Sequence, residues 1–113
     1  MKTKTPLLIA GSLLFALAGM SSAYAADAAK AEALLKVNKC AKCHAVDKDK
    51  TGPAFKKIAA KYKGKAEGEA TIIKNITTGP KVKSDDGTEE QHAIIKTKDE
   101  AELKNLAQWI LSQ

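Results

Sequence analysis

The sequence predicts an all-α domain of about four helices. Beyond residue 25, apolar residues recur at helical spacing in four stretches, and no run alternates apolar with polar residues for long enough to make a strand. Asp, Thr, Pro and Gly stand where those helices would begin and end.

A leader precedes them. Lys2 and Lys4 form a short basic start, residues 7–19 are an apolar run, and Ala23-Tyr24-Ala25 is the small-x-small pattern of a secretory signal peptide. The run falls short of the roughly 20 apolar residues of a spanning helix, so no stable membrane insertion is expected after cleavage. Residues 1–25 are read as a removed signal peptide, residues 26–113 as one exported, periplasmic domain.

The first helix is expected over 27–38, with Asp27 as its cap and Ala, Glu, Leu and Lys favouring the helical state. The second runs from Pro53, a first-turn proline, to Tyr62, with Gly64 ending it and Phe55, Ile58, Ala59 and Tyr62 on one face. The third, 69–77, turns Ile72, Ile73 and Ile76 inward and stops at Gly79-Pro80. Thr97-Lys98-Asp99-Glu100 reads as a capping box for the last helix, whose stripe is Leu103, Leu106, Ala107 and Ile110 flanked by Trp109. Residues 79–96 lack periodicity, and a loop of that length in a compact domain is usually functional.

A domain of this size buries little surface and commonly leans on a cofactor or a cross-link. After residue 25 the only aromatic side chains are Phe55, Tyr62 and Trp109, which leaves room for a large flat apolar group. Without Lys2 and Lys4 there are 17 lysines against 13 acidic residues, a charge of +4, and no arginine. A lysine-only surface argues against bidentate reading of phosphates or bases, so nucleic acid is not an expected partner. It is either a plain solvated face or a field that steers an acidic redox partner. Fourteen lysines fall between Lys30 and Lys83, whereas seven acids fall between Asp85 and Glu102.

Cys40-Ala41-Lys42-Cys43-His44 is the pattern of covalent c-type haem attachment. Thiols three residues apart point the same way on a helical turn and can add to two vinyl groups along one porphyrin edge, while the next residue places an imidazole under the iron. The rival readings are weaker. A thioredoxin-like pair needs a βαβ context that is missing, and a Cys40–Cys43 disulfide would close too short a loop to stabilise much. A zinc site of Cys40, Cys43, His44 and His92 would be strained by two adjacent ligands.

From about Ala33 onward the chain resembles class I bacterial cytochromes c of the small, soluble, monohaem type, through CAKCH, GPAFKKIAAKYKG and the terminal LAQWILSQ. The resemblance implies about four helices wrapped around one covalent haem, the first and last crossing so that Leu35 meets Leu106 and Trp109. It also implies that the Pro53 carbonyl accepts a hydrogen bond from the His44 imidazole and fixes its tautomer. The family's second axial ligand is a methionine, but here Met1 and Met20 both lie in the leader. His92, the only other histidine, sits five residues before Thr97 in the long loop and ahead of Ile94 and Ile95, which suits an axial ligand. An open or water-bound position, Lys81 or Lys83, or an asparagine are the alternatives.

The functional expectation is a low-potential electron carrier, not an enzyme, with haem c on Cys40 and Cys43, iron between His44 and His92, and a monomeric state. Lys39, Lys42, Lys48 and Lys50 would meet an acidic partner, with Asp85, Asp86, Glu89 and Glu90 near the ligand loop. A ligand-binding or sensing haem protein with a displaceable sixth position is the alternative. The sequon Asn75-Ile76-Thr77 is assigned no function.

Overall fold

The computed structural model describes residues 3, 11 and 25–113. The expected leader, apart from its third, eleventh and twenty-fifth residues, lies outside the described residues. The element order is α1 (Ala28–Val37), a 3₁₀ turn (Cys40–Lys42), α2 (Phe55–Tyr62), α3 (Gly68–Thr78), β1 (Lys81–Lys83), β2 (Glu89–Gln91) and α4 (Glu100–Leu111). Among the described residues four helices carry the structure, as the periodicity predicts.

The last helix is the hub. Its stripe of Leu103, Leu106, Ala107, Trp109 and Ile110 is buried, and α1, α2 and α3 all pack on it. Phe55 of α2 meets the Trp109 ring edge-on, 5.5 Å between centroids, the arrangement that suits the quadrupoles of two aromatic rings. α3 contributes Ile72 and Ile76. α1 comes closest through Ala31, which is 1 % exposed, whereas Leu34 and Leu35 pack only partly against the cluster containing Leu106 and Trp109. A small residue at the crossing lets the two helix backbones approach.

The ends of α1 are as the sequence suggests: Asp27 accepts from the Lys30 N–H at 3.1 Å, and Asn38 closes the helix. Asp27 is further clamped to α4, its N–H donating to Asn105 Oδ1 at 2.8 Å and its carbonyl accepting from Asn105 Nδ2 at 3.0 Å.

Three expectations change. α2 starts at Phe55 with Ala54 as its cap, so Pro53 stands just outside the helix and its carbonyl is free for another donor. The cap of α4 is Asp99, which accepts from the Ala101 N–H at 2.9 Å; Thr97 Oγ1 instead accepts from the Asp99 N–H and donates to Glu102. A carboxylate at the positive end of the helix outcompetes a hydroxyl two residues earlier. Within the expected loop lies an antiparallel hairpin, pairing Lys81 with Gln91, Val82 with Glu90 and Lys83 with Glu89. Both strands are exposed, so no apolar face imposes alternation. Turn chemistry and opposite charges make the hairpin: Asp86 accepts from the Thr88 N–H, Lys83 faces Glu89, and buried Ser84 donates to Glu90 at 2.6 Å.

Leu106, 0 % exposed at the centre of the hub, is where a cavity would be least able to collapse. Leu106→Ala is expected to cost about 2–5 kcal/mol of stability in equilibrium denaturation of the holoprotein.

Candidate functional site

The cysteine motif begins where α1 ends. Lys39 adopts the left-handed conformation, φ +57°, and swings the chain into the 3₁₀ turn. The N–H groups of Cys43 and His44 both donate to the Cys40 carbonyl, at 3.1 and 3.0 Å. That turn leaves Cys40 and Cys43 half-buried, and before haem is attached burial, reinforced by the neighbouring Cys43, pushes the Cys40 thiol up. The pair is not a disulfide.

His44 is fixed from the loop that follows. Its Nδ1 lies 2.7 Å from the Pro53 carbonyl; a carbonyl only accepts, so Nδ1 carries the proton and Nε2 presents a lone pair. Burial holds the imidazole below the usual histidine range, against the opposing pull of the Pro53 carbonyl, and nearby His92 lowers it further. The neutral, ligating form is thereby favoured. The ring stacks on Phe55 at 5.2 Å. Gly52 makes the close passage possible, since a Cβ there would stand 2.7 Å from His44 Cε1. Its N–H reaches the Cys43 carbonyl at 2.7 Å, and Asp49 closes the loop by accepting from the Ala54 N–H at 2.9 Å and pairing with Lys57.

His92 arrives on the strap that follows β2. Its N–H donates to the Pro80 carbonyl at 2.9 Å, and its own Nδ1 donates to the Ala93 carbonyl at 2.9 Å, again leaving Nε2 free. The strap continues with the Ile95 N–H on the Ile76 carbonyl at 2.8 Å and the Lys96 N–H on Asn38 Oδ1 at 3.1 Å. Asn38 in turn donates to the Leu34 carbonyl at 2.9 Å, so one carboxamide ties the strap to the helix that leads into the thiols.

The structure thus brings Cys40, Cys43, His44, Pro53 and His92 into one region, with the two imidazole centroids 6.1 Å apart and their planes at 49°. Two imidazoles on opposite sides of one metal, each bonded at about 2.0–2.1 Å with about 1.1 Å more to the ring centre, would stand about 6.2–6.4 Å apart. The observed centroid separation is close to that spacing, and the thiols and imidazoles are of the types that hold a haem. A cleft of about 670 Å³ opens on the His44 side, lined by Leu35, Val46 and Phe55, and one of about 860 Å³ on the His92 side, lined by Leu34, Val37 and Ile94. Both volumes are in the usual range of cofactor sites. Adjacent leucines of α1 therefore serve opposite faces. Among the described residues no group of three or more His, Cys, Asp or Glu is placed to hold a bare metal ion.

Asn38, Asp49, Gly52, Gly79 and the Ala93 carbonyl escape the sequence reading. Asn38 and Asp49 occupy capping and turn positions that favour their types, but their long-range partners have no sequence signal.

A family model for cytochrome c matches residues 28–113. The chain is 36 % identical over 118 residues to cytochrome c-551 of Pseudomonas aeruginosa, covering 95 % of this chain and 91 % of that one. It is 38 % identical over 81 residues to cytochrome c-551 of Pseudomonas denitrificans, covering 72 % and 94 %. The class 1 cytochrome MtoD of Sideroxydans lithotrophicus ES-1 is a structural neighbour with 49 % identity and a TM-score of 0.74, covering 78 % of this chain and 97 % of that one. Cytochrome c552 of Nitrosomonas europaea follows with 31 % identity and a TM-score of 0.57, covering 72 % and 96 %.

Asp49 offers a test of the loop beneath His44. The Lys57 ammonium, then the Ala54 N–H, hold its carboxyl below the usual carboxylate range. The ionised form therefore stabilises the fold above that range, and the contribution disappears as pH falls through the folded-state value. Asp49→Ala is expected to melt below wild type at neutral pH, with the difference closing as melts are repeated at pH values taken below the usual carboxylate range.

Proposed function

Since the chain belongs to the cytochrome c family, and is a monohaem electron carrier with one covalent haem c that exchanges electrons with redox partners, we propose that it is a low-potential periplasmic carrier with iron between His44 and His92. The observation that carries this reading is the pair of imidazoles 6.1 Å apart, each with Nδ1 committed to a backbone carbonyl and Nε2 free.

When bound, the haem supplies an iron that changes oxidation state by one electron. The protein does the rest. Cys40 and Cys43 anchor one porphyrin edge to the 3₁₀ turn. His44 and His92 would be the two side chains that hold the iron, which would leave no position for substrate and no ligand bond to form or break during transfer. The Pro53 and Ala93 carbonyls orient the two rings. Imidazole in place of the family's thioether lowers the potential. The sensing alternative requires His92 to leave, whereas its strap is pinned by Pro80, Ile76 and Asn38.

Export follows from the leader, whose removal also removes Met1 and Met20. Among the described residues no helix is long and apolar enough to cross a membrane.

The docking face is the rim shared by the two clefts. Lys36, Lys39, Lys42 and Lys50 border the His44 side against the single acid Glu32, and Lys39 borders both. Beside them Val37 is 77 % and Ile94 46 % exposed. An apolar centre ringed by lysines suits an acidic partner with an apolar patch and repels a second copy, in keeping with a monomer. Lys48 lies exposed on the same loop as Lys50, and the hairpin acids Asp85, Asp86, Glu89 and Glu90 precede the ligand strap.

Carbon monoxide distinguishes the ligation states. Wild type is expected to be low-spin and to resist the gas, and His92→Ala to turn high-spin and bind it at once; a spectrum unchanged by the substitution would sink the assignment. Lys39→Gly separates docking from folding. Releasing the left-handed lysine should raise stability by about 1 kcal/mol, while electron transfer to an acidic partner slows and its dependence on ionic strength flattens.

A further inference from the structure

Resting on the reading of His92 as an axial ligand, the geometry points to Gly79 as the positioning residue that seats that ligand against α3. Gly79 is buried at the C-terminal end of the helix with φ +59°. It meets two demands at once. The left-handed turn is one that glycine, and less readily asparagine, can adopt. The second demand is space: a Cβ on Gly79 would lie 2.8 Å from the His92 carbonyl oxygen and 2.8 Å from Ile94 Cγ1. The strap carrying His92 rests directly on the glycine Cα.

The two collisions would be relieved differently. The Ile94 side chain is partly exposed and can rotate away. The His92 carbonyl belongs to a strap fixed on either side by the Pro80 and Ile76 carbonyls, with Ile95 buried in the core just beyond. Relief there moves the peptide, and the ring moves with it because Nδ1 is bonded to the next carbonyl. Bringing the contact out even to 3.0 Å needs a shift of about 0.2 Å, the whole tolerance of a metal–ligand distance. A side chain at this position therefore acts on the iron–nitrogen bond from outside the cleft.

Gly64 supplies a control within the same molecule. It also has positive φ, +77°, just after a helix, but a Cβ there meets nothing within 4 Å. Substituting it imposes the dihedral strain alone.

The experiment uses the matured holoproteins of wild type, Gly79→Ala, Gly79→Asn, Gly64→Ala and His92→Ala, reading melting temperature, the spin state from absorption and magnetic resonance, the reduction potential and the rate of carbon monoxide capture. Gly79→Ala and Gly64→Ala should each lower the melting temperature by about 4–8 °C, and Gly79→Asn by less. Both Gly79 variants should nevertheless capture carbon monoxide at least about tenfold faster than wild type, with a high-spin fraction and a shifted potential, while Gly64→Ala keeps the wild-type spectrum and rate. A wild-type spectrum and rate in either Gly79 variant, or a Gly64→Ala change equal to that of Gly79→Ala, overturns the role of Gly79. Wild type that captures the gas as fast as His92→Ala overturns the ligation reading itself, and the inference with it.

Discussion

The hydrogen bond from His44 Nδ1 to the Pro53 carbonyl, 2.7 Å long, organises this molecule. It fixes one imidazole in a tautomer and a direction, and the ring of His92 stands 6.1 Å from it. The loop below His44 is shaped by that bond: Pro53 is drawn out of α2, Gly52 passes beneath the ring, and Asp49 closes the return. His92 sits on a strap supported by Ile76 of α3, by Pro80 just beyond that helix and by Asn38 at the end of α1. Because α4 packs on all three other helices, its buried stripe sets the relative position of both supports. A core residue far from the cofactor thus acts on the space between the two histidines.

Electrostatics and burial divide the labour. Where the cofactor edge is held, groups are neutral: thioethers once the haem is attached, and an imidazole that burial holds below its usual range. Charge is confined to the rim, and Lys39 lies at the boundary. A lysine in the left-handed region is tolerated at a cost of about 1–2 kcal/mol, and the same turn delivers the chain from α1 into the first thiol. Local strain and location in both clefts coincide at one residue, as strained backbone often does at functional positions.

The cysteine pattern was legible because covalent attachment dictates its spacing, and the four helices because burial on α4 dictates theirs. His92 could be singled out by elimination, and Pro53 by resemblance. What escaped has a common cause. The hairpin has no buried face, so its strands carry no alternation. The cap of α4 depended on a competition between Thr97 and Asp99 that local rules leave nearly balanced. Asn38 and Gly79 act on residues far along the chain or across a helix end, and only the folded backbone reveals that a carboxamide reaches Lys96 or that a Cβ would strike His92. Leu35 was expected to meet Leu106 and Trp109 at the α1–α4 crossing; it packs partly against the cluster that contains them and also lines the His44 cleft.

The reciprocal clamp between Asp27 and Asn105 joins residues 78 positions apart. A ribosome makes α1 and the two thiols early and α4 last, so the hub on which the other helices pack is missing for most of synthesis. The growing chain cannot close around its cysteines, because the contacts that would close it span nearly the whole domain. The attachment turn itself needs only neighbours in sequence, so the thiols can take their places before the helix that completes the core is made.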